Sequence, residues 1–385
     1  MPGYVLGARA DLAPLVTARK FGVRWYKNQS TTTLTRLHDA VGKTFKASVG
    51  STTAGSSGFD NEPIYKDIKL CNVVNGKVTA YYGEPGFSRT PSSGDVMVEI
   101  PRYYYKIEET STYRDFIISD QPLDGFLFSP RHAPHSGNAN GYEKIYVSAY
   151  TLNSSYRSVS GNSSVVSITR ATARTGCKGR GNGYYLYDFA TYWTIALLYL
   201  IEVADWNSQN VIGEGYTDSS NSAQINTGGA DGVSGHTGRA SGNATNAKNA
   251  VKYRHMENLW GNIWSWCDGA NFNDALCYVC TNPAQYADDT ATNYTKLSYS
   301  KATADGYQKA LGFDPNVPWA QICTDATGAD GTYISDYYYR STGWRVLPLG
   351  GSWHYTRSAG LFYLDSGRTS SSTSTYVGCR LLVLP

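Results

Sequence analysis

Three tryptophans within seven residues, Trp260, Trp264 and Trp266 in the run Leu259 to Asp268, constrain the fold of this chain more than any other feature. Side chains of that size at that density must lie in a core. A second run, Tyr184 to Trp206, lacks Gly and Pro and is apolar at helical spacing, which predicts the chain's best helix. The remainder points to strands and packed loops, because 32 Tyr and 9 Trp stand beside 39 Gly and only 3 Met. Short strands are expected over Val78 to Tyr82, Val96 to Ile100 and Lys144 to Tyr150, forming one sheet, and an apolar strand is expected at Leu381 to Leu384. Residues 208–250 carry almost no large apolar side chain among their Gly, Asn, Ser and Ala, so a long surface excursion that adds nothing to the core is expected there.

Charge and cysteine usage exclude several classes. Charged residues make up 17% of the chain, the formal net charge is +3 and no Lys/Arg run stands out, which does not indicate nucleic acid or an anionic membrane as partner. No apolar stretch approaches the roughly 18 residues that span a bilayer, and Met1 to Ala13 lacks the charged start and apolar core of an export signal. Seven cysteines scattered from Cys71 to Cys379 do not form a disulfide framework, so reduced thiols are expected. Cys277 and Cys280 have zinc-like spacing, yet Cys267 and Cys323 form no second close pair, and no metal site is assigned. A Gly/Ser-rich run from Gly50 to Gly58 suggests a boundary near residue 60, dividing an N-terminal unit, 1–60, from residues 61–385.

The last forty residues contain two frames and an insert. The frames are Gly343-Trp344-Arg345-Val346-Leu347 with Gly350-Gly351-Ser352-Trp353, and Val377-Gly378-Cys379-Arg380-Leu381. Between them, His354 to Tyr376 contain only Ser, Thr, Tyr, Gly, Leu, Arg, His, Ala, Phe and Asp. Tyr gives rigid amphipathic contact area, and Ser and Gly give adaptable hydrogen bonding, so this vocabulary reads as a binding surface. A Ser/Thr-rich stretch is often a flexible linker. Here the chain returns at once to an apolar strand instead of entering another domain.

Leu259-Trp260-Gly261-Asn262-Ile263-Trp264-Ser265-Trp266-Cys267-Asp268 resembles the Gly-Asn-Val-Trp-Glu-Trp motif of the formylglycine-generating-enzyme branch of the C-type lectin fold. The closing frames are similar to that branch's Arg-Val-x-Arg-Gly-Gly-Ser-Trp and Gly-Phe-Arg, departing at Leu349 and at Cys379. Within the branch, Ala359-Gly360-Leu361-Phe362-Tyr363-Leu364 and Ser370 to Thr375 resemble the variable proteins of diversity-generating retroelements, which include receptor-binding proteins at phage tail-fibre tips. In such systems template adenines are randomised, and AAY codons cannot become codons for Lys, Glu, Gln, Met or Trp. The insert obeys that restriction throughout. Gly22 to Tyr26, Leu34 to Arg36, Tyr81 to Phe87 and Val98 to Pro101 look like phage tail proteins from gut bacteria carrying this kind of C-terminal domain.

The resemblance implies an α+β chain with a C-type lectin-like fold preceded by a small β-rich N-terminal unit, an insertion at 208–250 and a variable region at 344–380. It also implies a host-attachment protein of the virion, not an enzyme, that binds a cell-surface protein or glycan. Other tail components would bind the N-terminal unit, and the chain would be a homo-oligomer, a trimer being the expectation. His354, Tyr355, Thr356, Ser358, Tyr363, Asp365, Ser366, Gly367, Thr369, Ser371, Thr373, Thr375 and Tyr376 are the expected contact positions. Trp353, Leu361, Leu364, Val377, Arg380 and Leu382 are assigned to the scaffold. His354 has no carboxylate or second His close in sequence to orient it, which favours contact over acid/base chemistry. No cofactor is assigned, although a structural cation is compatible with the fold. Copper oxidases of this branch use a Cys pair, and the tail between Trp353 and Gly378 has no Cys. The alternative reading is a constant lectin-like module for a fixed sugar. The Glu-Pro-Asn and Trp-Asn-Asp pairs of calcium-dependent sugar binders are absent from the C-terminal region.

Overall fold

In the computed structural model the described residues are 17–241 and 248–385; residues 1–16 of the expected N-terminal unit and 242–247 of the expected insertion lie outside them. The fold is mostly β-sheet with few helices. Three α-helices occur among the described residues, Arg170–Lys178, Phe189–Val203 and Ser208–Val211.

The long helix, Phe189–Val203, is buried at all 15 positions, as an uninterrupted apolar run requires. It starts later than the sequence pattern suggests. Tyr184–Leu186 pairs instead as a strand with Leu381–Val383, and Asp188 caps the helix by accepting from Thr191 N at 2.7 Å. Asp188 is itself buried, held by the Arg131 guanidinium at 2.8 Å and the Tyr286 hydroxyl at 2.8 Å. That demand for a polar cap, which periodicity does not register, fixes the boundary.

Three sheets surround the helix. A six-stranded antiparallel sheet runs Tyr184–Leu186, Leu381–Val383, Lys144–Ser148, Asp95–Pro101, Lys69–Val74, Lys77–Tyr81, so the three early strands expected to share a sheet do so. The closing strand Leu381–Val383 is interior to it. A five-stranded sheet is ordered Leu127–Phe128, Tyr104–Glu109, Tyr113–Ser119, Lys20–Tyr26, Thr35–His38. In it Lys20–Tyr26 pairs along its whole length with Tyr113–Ser119, and Phe21, Val23, Trp25 and Phe59 belong to the same buried cluster as Leu198 and Trp206. The third, eight-stranded sheet is built on Trp264–Asn273, here called the tryptophan strand.

Trp260, Trp264 and Trp266 are fully buried, as their density requires. Asp268, at the end of the same motif, is buried against the Arg174 guanidinium at 2.6 Å. Burial, helped by the Asp288 charge, raises the Asp268 carboxyl above its ordinary range, and Arg174 and Arg170 oppose that rise. All seven cysteines are buried and free. Cys277 lies in the main core and Cys280 in a separate small cluster with Tyr286 and Tyr294, so the zinc-like spacing does not bring the two thiols to one site.

The excursion at 208–250 differs from expectation. Ile212 joins the main core, and Ala230, Val233 and Ala250 form a small buried cluster of their own. Small side chains suffice there because the backbone is tied down by polar groups of the main body. Among the described residues no helix is long and apolar enough to cross a membrane.

Candidate functional site

The site grows from the tryptophan strand. Trp344–Leu349 pairs antiparallel with one edge of it, bringing Ser265 opposite Leu349. Val377–Gly378 pairs parallel with Trp264 and Ser265. Ser265 has partners on both sides, so the insert leaves one edge of this strand and returns to the other.

The frame residues explain themselves at these exits. Gly350 and Gly351 have φ of 93° and 81°, where a side chain is strained, and a Cβ on Gly350 would lie 2.4 Å from Leu259 O. Gly261 N donates to Gly350 O at 3.2 Å, joining the two sequence motifs directly. Trp353 N donates to Asn262 O at 3.0 Å, and the Asn262 side chain both donates to Ile225 O (3.1 Å) and accepts from Ile225 N (3.0 Å). At the far exit, the buried Arg380 donates to Asn258 O at 2.7 Å, to Glu257 O and to Ser148 O at 3.3 Å. Burial pushes its guanidinium down to about 10. All six scaffold assignments, Trp353, Leu361, Leu364, Val377, Arg380 and Leu382, are buried.

Within the insert, the 13 expected contact residues divide. Thr369, Ser371, Thr373 and Thr375 are exposed, while Ser370, Ser372 and Ser374 between them are half-buried. His354, Tyr355, Thr356, Ser358, Gly367 and Tyr376 are half-buried. Tyr363, Asp365 and Ser366 are buried, because Leu364–Ser366 pairs in parallel with Tyr337–Arg340 and becomes a strand of the large sheet. The Ser366 hydroxyl accepts from Lys301 Nζ at 3.0 Å. Asp365 is held by Arg368 at 3.0 Å. Burial raises the Asp365 carboxyl, and Arg368 works against that.

Aromatic rings of the insert and its frame form a continuous layer. Trp264 meets Tyr363 at 4.5 Å and Tyr355 at 5.3 Å between centroids, edge to face. His354 meets Tyr355 at 4.6 Å and Tyr376 at 4.9 Å, and Trp353 meets Tyr376 at 5.9 Å. The layer floors a cleft of about 630 Å³, lined by Tyr355, Ser358, Tyr363, Asp365, Gly367 and Thr369 together with Tyr337, Tyr339, Arg368 and Ser372. The contact positions expected from the sequence do not include the last four. Strand parity held the signal for two of them, since burying Tyr338 turns Tyr337 and Tyr339 to the other face. Arg368 sits three residues after Asp365, a pairing that spacing alone could have suggested.

Burial and the nearby Arg368 hold the His354 imidazole below its ordinary range, which leaves it neutral at pH 7, and its one hydrogen-bond partner is Ser352 Oγ at 3.5 Å. Burial raises the Tyr376 phenol, but hydrogen bonds with Ser374 and Arg368 outweigh it and the net shift is downward. Among the described residues no group of three His, Cys, Asp or Glu side chains is placed to hold a metal ion.

The fold and cleft define a β-rich domain that displays an aromatic, hydroxyl-bearing surface from a rigid frame. No family model and no curated protein matches the chain. Solved structures similar to it are variants of the major tropism determinant. The I1, P3c and M1 variants are 10%, 10% and 12% identical, each with a TM-score of 0.30, and each comparison covers 97% of this chain and 73% of that chain.

Proposed function

We propose that this protein is a receptor-binding protein of a phage tail-fibre tip whose C-type-lectin-like domain displays a diversified surface for host attachment. The observation that carries the reading is the division of labour within residues 349–378. Both exits of the insert are hydrogen-bonded to one buried strand, its rings Tyr355 and Tyr363 pack on Trp264 of that strand, and Thr369, Ser371, Thr373 and Thr375 are exposed. Exposed positions on such a frame change the partner without unfolding the domain. The contact set is His354, Tyr355, Ser358, Gly367, Thr369, Ser371, Thr373, Thr375 and Tyr376, joined by Tyr339 and Arg368, while the buried Tyr363 and Asp365 line the cleft and Ser366 and Thr356 lie outside its lining. Aromatics anchor and hydroxyls adapt. The activity is binding, without catalysis. The ligand is a host-surface protein or glycan, the segment before residue 60 attaches to other tail components, and a homotrimer multiplies modest single-site affinity.

One observation favours the alternative of a constant carbohydrate-binding module. Asp365, Arg368 and Tyr376 depend on one another, with Arg368 bridging the carboxylate at 3.0 Å and the phenol at 3.4 Å, and independent randomisation would break that unit. Sequencing the DNA beside the gene separates the two. A reverse transcriptase with a near-copy of the segment encoding 344–385, differing at template adenines, is the expected finding. A flank with neither element would overturn diversification in favour of the fixed module.

A further inference from the structure

Four large apolar side chains are exposed among the described residues, and Tyr82, at 58%, is the most exposed aromatic. It stands at the mouth of a cleft of about 440 Å³ that shares no residue with the insert. We propose that this cleft is a second ligand site, which takes an acidic sugar by stacking its ring on Tyr82 and receiving its carboxylate at Lys252.

The argument begins with a turn. The short strands Val251–Tyr253 and Met256–Glu257 are joined by Arg254 and His255, with φ of 45° and 68°, a left-handed pair in which neither residue is glycine. Burial holds the conformation. The Arg254 guanidinium is clamped by Glu202 at 2.9 Å and Asp60 at 3.0 Å, and this aims His255 at the cleft, 6.1 Å from the Tyr82 ring and 6.0 Å from that of His236. Backbone strain of this kind persists where the surroundings over-determine it, and such places concentrate at ligand sites.

Lys252 supplies the chemistry. Its side chain is buried yet lines the cleft, and its ammonium makes one hydrogen bond, to Val233 O at 2.7 Å. No carboxylate among the described residues pairs with it. A buried charge is ordinarily paired, and here burial, with the neighbouring Arg89 charge, pushes Lys252 down to about 8. The nearby Asp231 and Glu257 carboxylates favour its charge without bonding to it: Asp231 is occupied by Arg89 at 3.0 Å, Tyr150 Oη at 2.5 Å and Ser160 Oγ at 2.6 Å, and Glu257 by Gly228 N at 2.9 Å and Ala230 N at 2.8 Å. His255 is held neutral by burial and by its cationic neighbours, so it offers hydrogen bonding without charge. Arg89 lies 5.2 Å from the Tyr82 ring centroid and Phe87 braces the ring edge-on at 5.4 Å, leaving more than half of the phenol surface for a ligand. A cation deep in a cleft with an aromatic platform at its mouth fits a rigid ring bearing one carboxylate.

The proposal is independent of the insert, and its test uses the intact chain. Ligand-observed NMR titrations with galacturonic acid, galactose and inorganic phosphate are compared for the wild type, Lys252→Met, Tyr82→Ala and Tyr355→Ala. The expected result is that galacturonic acid binds at least tenfold more tightly than galactose and that Lys252→Met removes that preference. Tyr82→Ala alters an exposed side chain and leaves the fold intact, and it should weaken galacturonic acid at least threefold without changing phosphate. Tyr355→Ala should change nothing. Equal affinity for the two sugars, a galacturonic acid titration unaffected by either Lys252→Met or Tyr82→Ala, or no binding at all would overturn the site. Binding of phosphate without galacturonic acid would overturn the sugar assignment.

Discussion

Two stretches of this chain share a vocabulary of Gly, Ser, Thr and Asn or Tyr, yet only one of them adds aromatic packing to its polar ties. The excursion at 208–250 is held by polar clamps from the main body. Glu257 accepts from Gly228 N (2.9 Å) and Ala230 N (2.8 Å), Gln224 exchanges hydrogen bonds with Ser164, and Asn262 does so with Ile225. The insert at 354–376 adds rings to its polar ties: its own Tyr355 and Tyr363 pack on Trp264, beside bonds such as Lys301 Nζ to Ser366 Oγ at 3.0 Å and Arg357 to Glu214 at 3.0 Å. A polar clamp commits the side chains that make it, whereas an aromatic floor leaves those above it uncommitted. Composition therefore does not decide whether a Ser-rich segment is free to vary; what supports it does.

This contrast can be broken, and the most severe test is the floor. Tyr363→Ala removes a buried ring from Trp264, and a loss of about 3–5 kcal/mol is expected in urea unfolding. A loss no greater than that of an exposed hydroxyl would mean the insert does not rest on its aromatics. The excursion offers a pH test of similar size. Burial raises the Glu257 carboxyl to about 7, above its unfolded value near 4.5. Its folded pKa is the higher one, so the folded state holds this proton more tightly and stability falls as pH rises between those values. The expected change is about 3 kcal/mol, from roughly 1.4 kcal/mol per pH unit. Urea unfolding at pH 4.5 and 7.5 should show the wild type losing more stability on that rise than Glu257→Gln, and parallel curves would remove Glu257 from the account.

Asn262 sharpens the comparison because it touches both stretches. Asn262→Ala strips the two side-chain bonds to Ile225 from a buried position and should cost about 1–3 kcal/mol. Hydrogen exchange should quicken first around Ile225, and exchange that quickened only in the insert would reverse the assignment. The smallest effect belongs to Thr369, Ser371, Thr373 and Thr375, where each change to Ala should stay within about 0.5 kcal/mol in thermal unfolding.

Much of the scaffold was legible because large side chains declare themselves. Trp260, Trp264 and Trp266, the closing strand and the six scaffold residues of the tail are buried where their size and apolar character place them. The burial of Tyr363, Asp365 and Ser366 was not legible, because it follows from pairing with Tyr337–Arg340 some 25 residues earlier, and a parallel pairing leaves no local pattern. Tyr337 and Tyr339 in the cleft differ from that case, because the alternation of faces around the buried Tyr338 is a local pattern. The start of the long helix was obscured by tyrosines that suit a strand and a helix equally well until Tyr184–Leu186 finds its partner in Leu381–Val383. The small core of the excursion escaped because Ala230, Val233 and Ala250 are too small to register as apolar signals.

The stretch Gly367–Tyr376 runs between two pinned points, Ser366 on the large sheet and Val377 on the tryptophan strand. Between them Val346 N donates to Arg368 O at 2.9 Å and Ser167 N to Ser374 O at 2.8 Å, leaving 369–373 as the span between backbone ties among the described residues. For a flexible loop, doubling the length between fixed ends costs only about 0.6 kcal/mol. An insertion within 369–373 is therefore expected to extend the chain outward at small cost while the domain beneath keeps its shape.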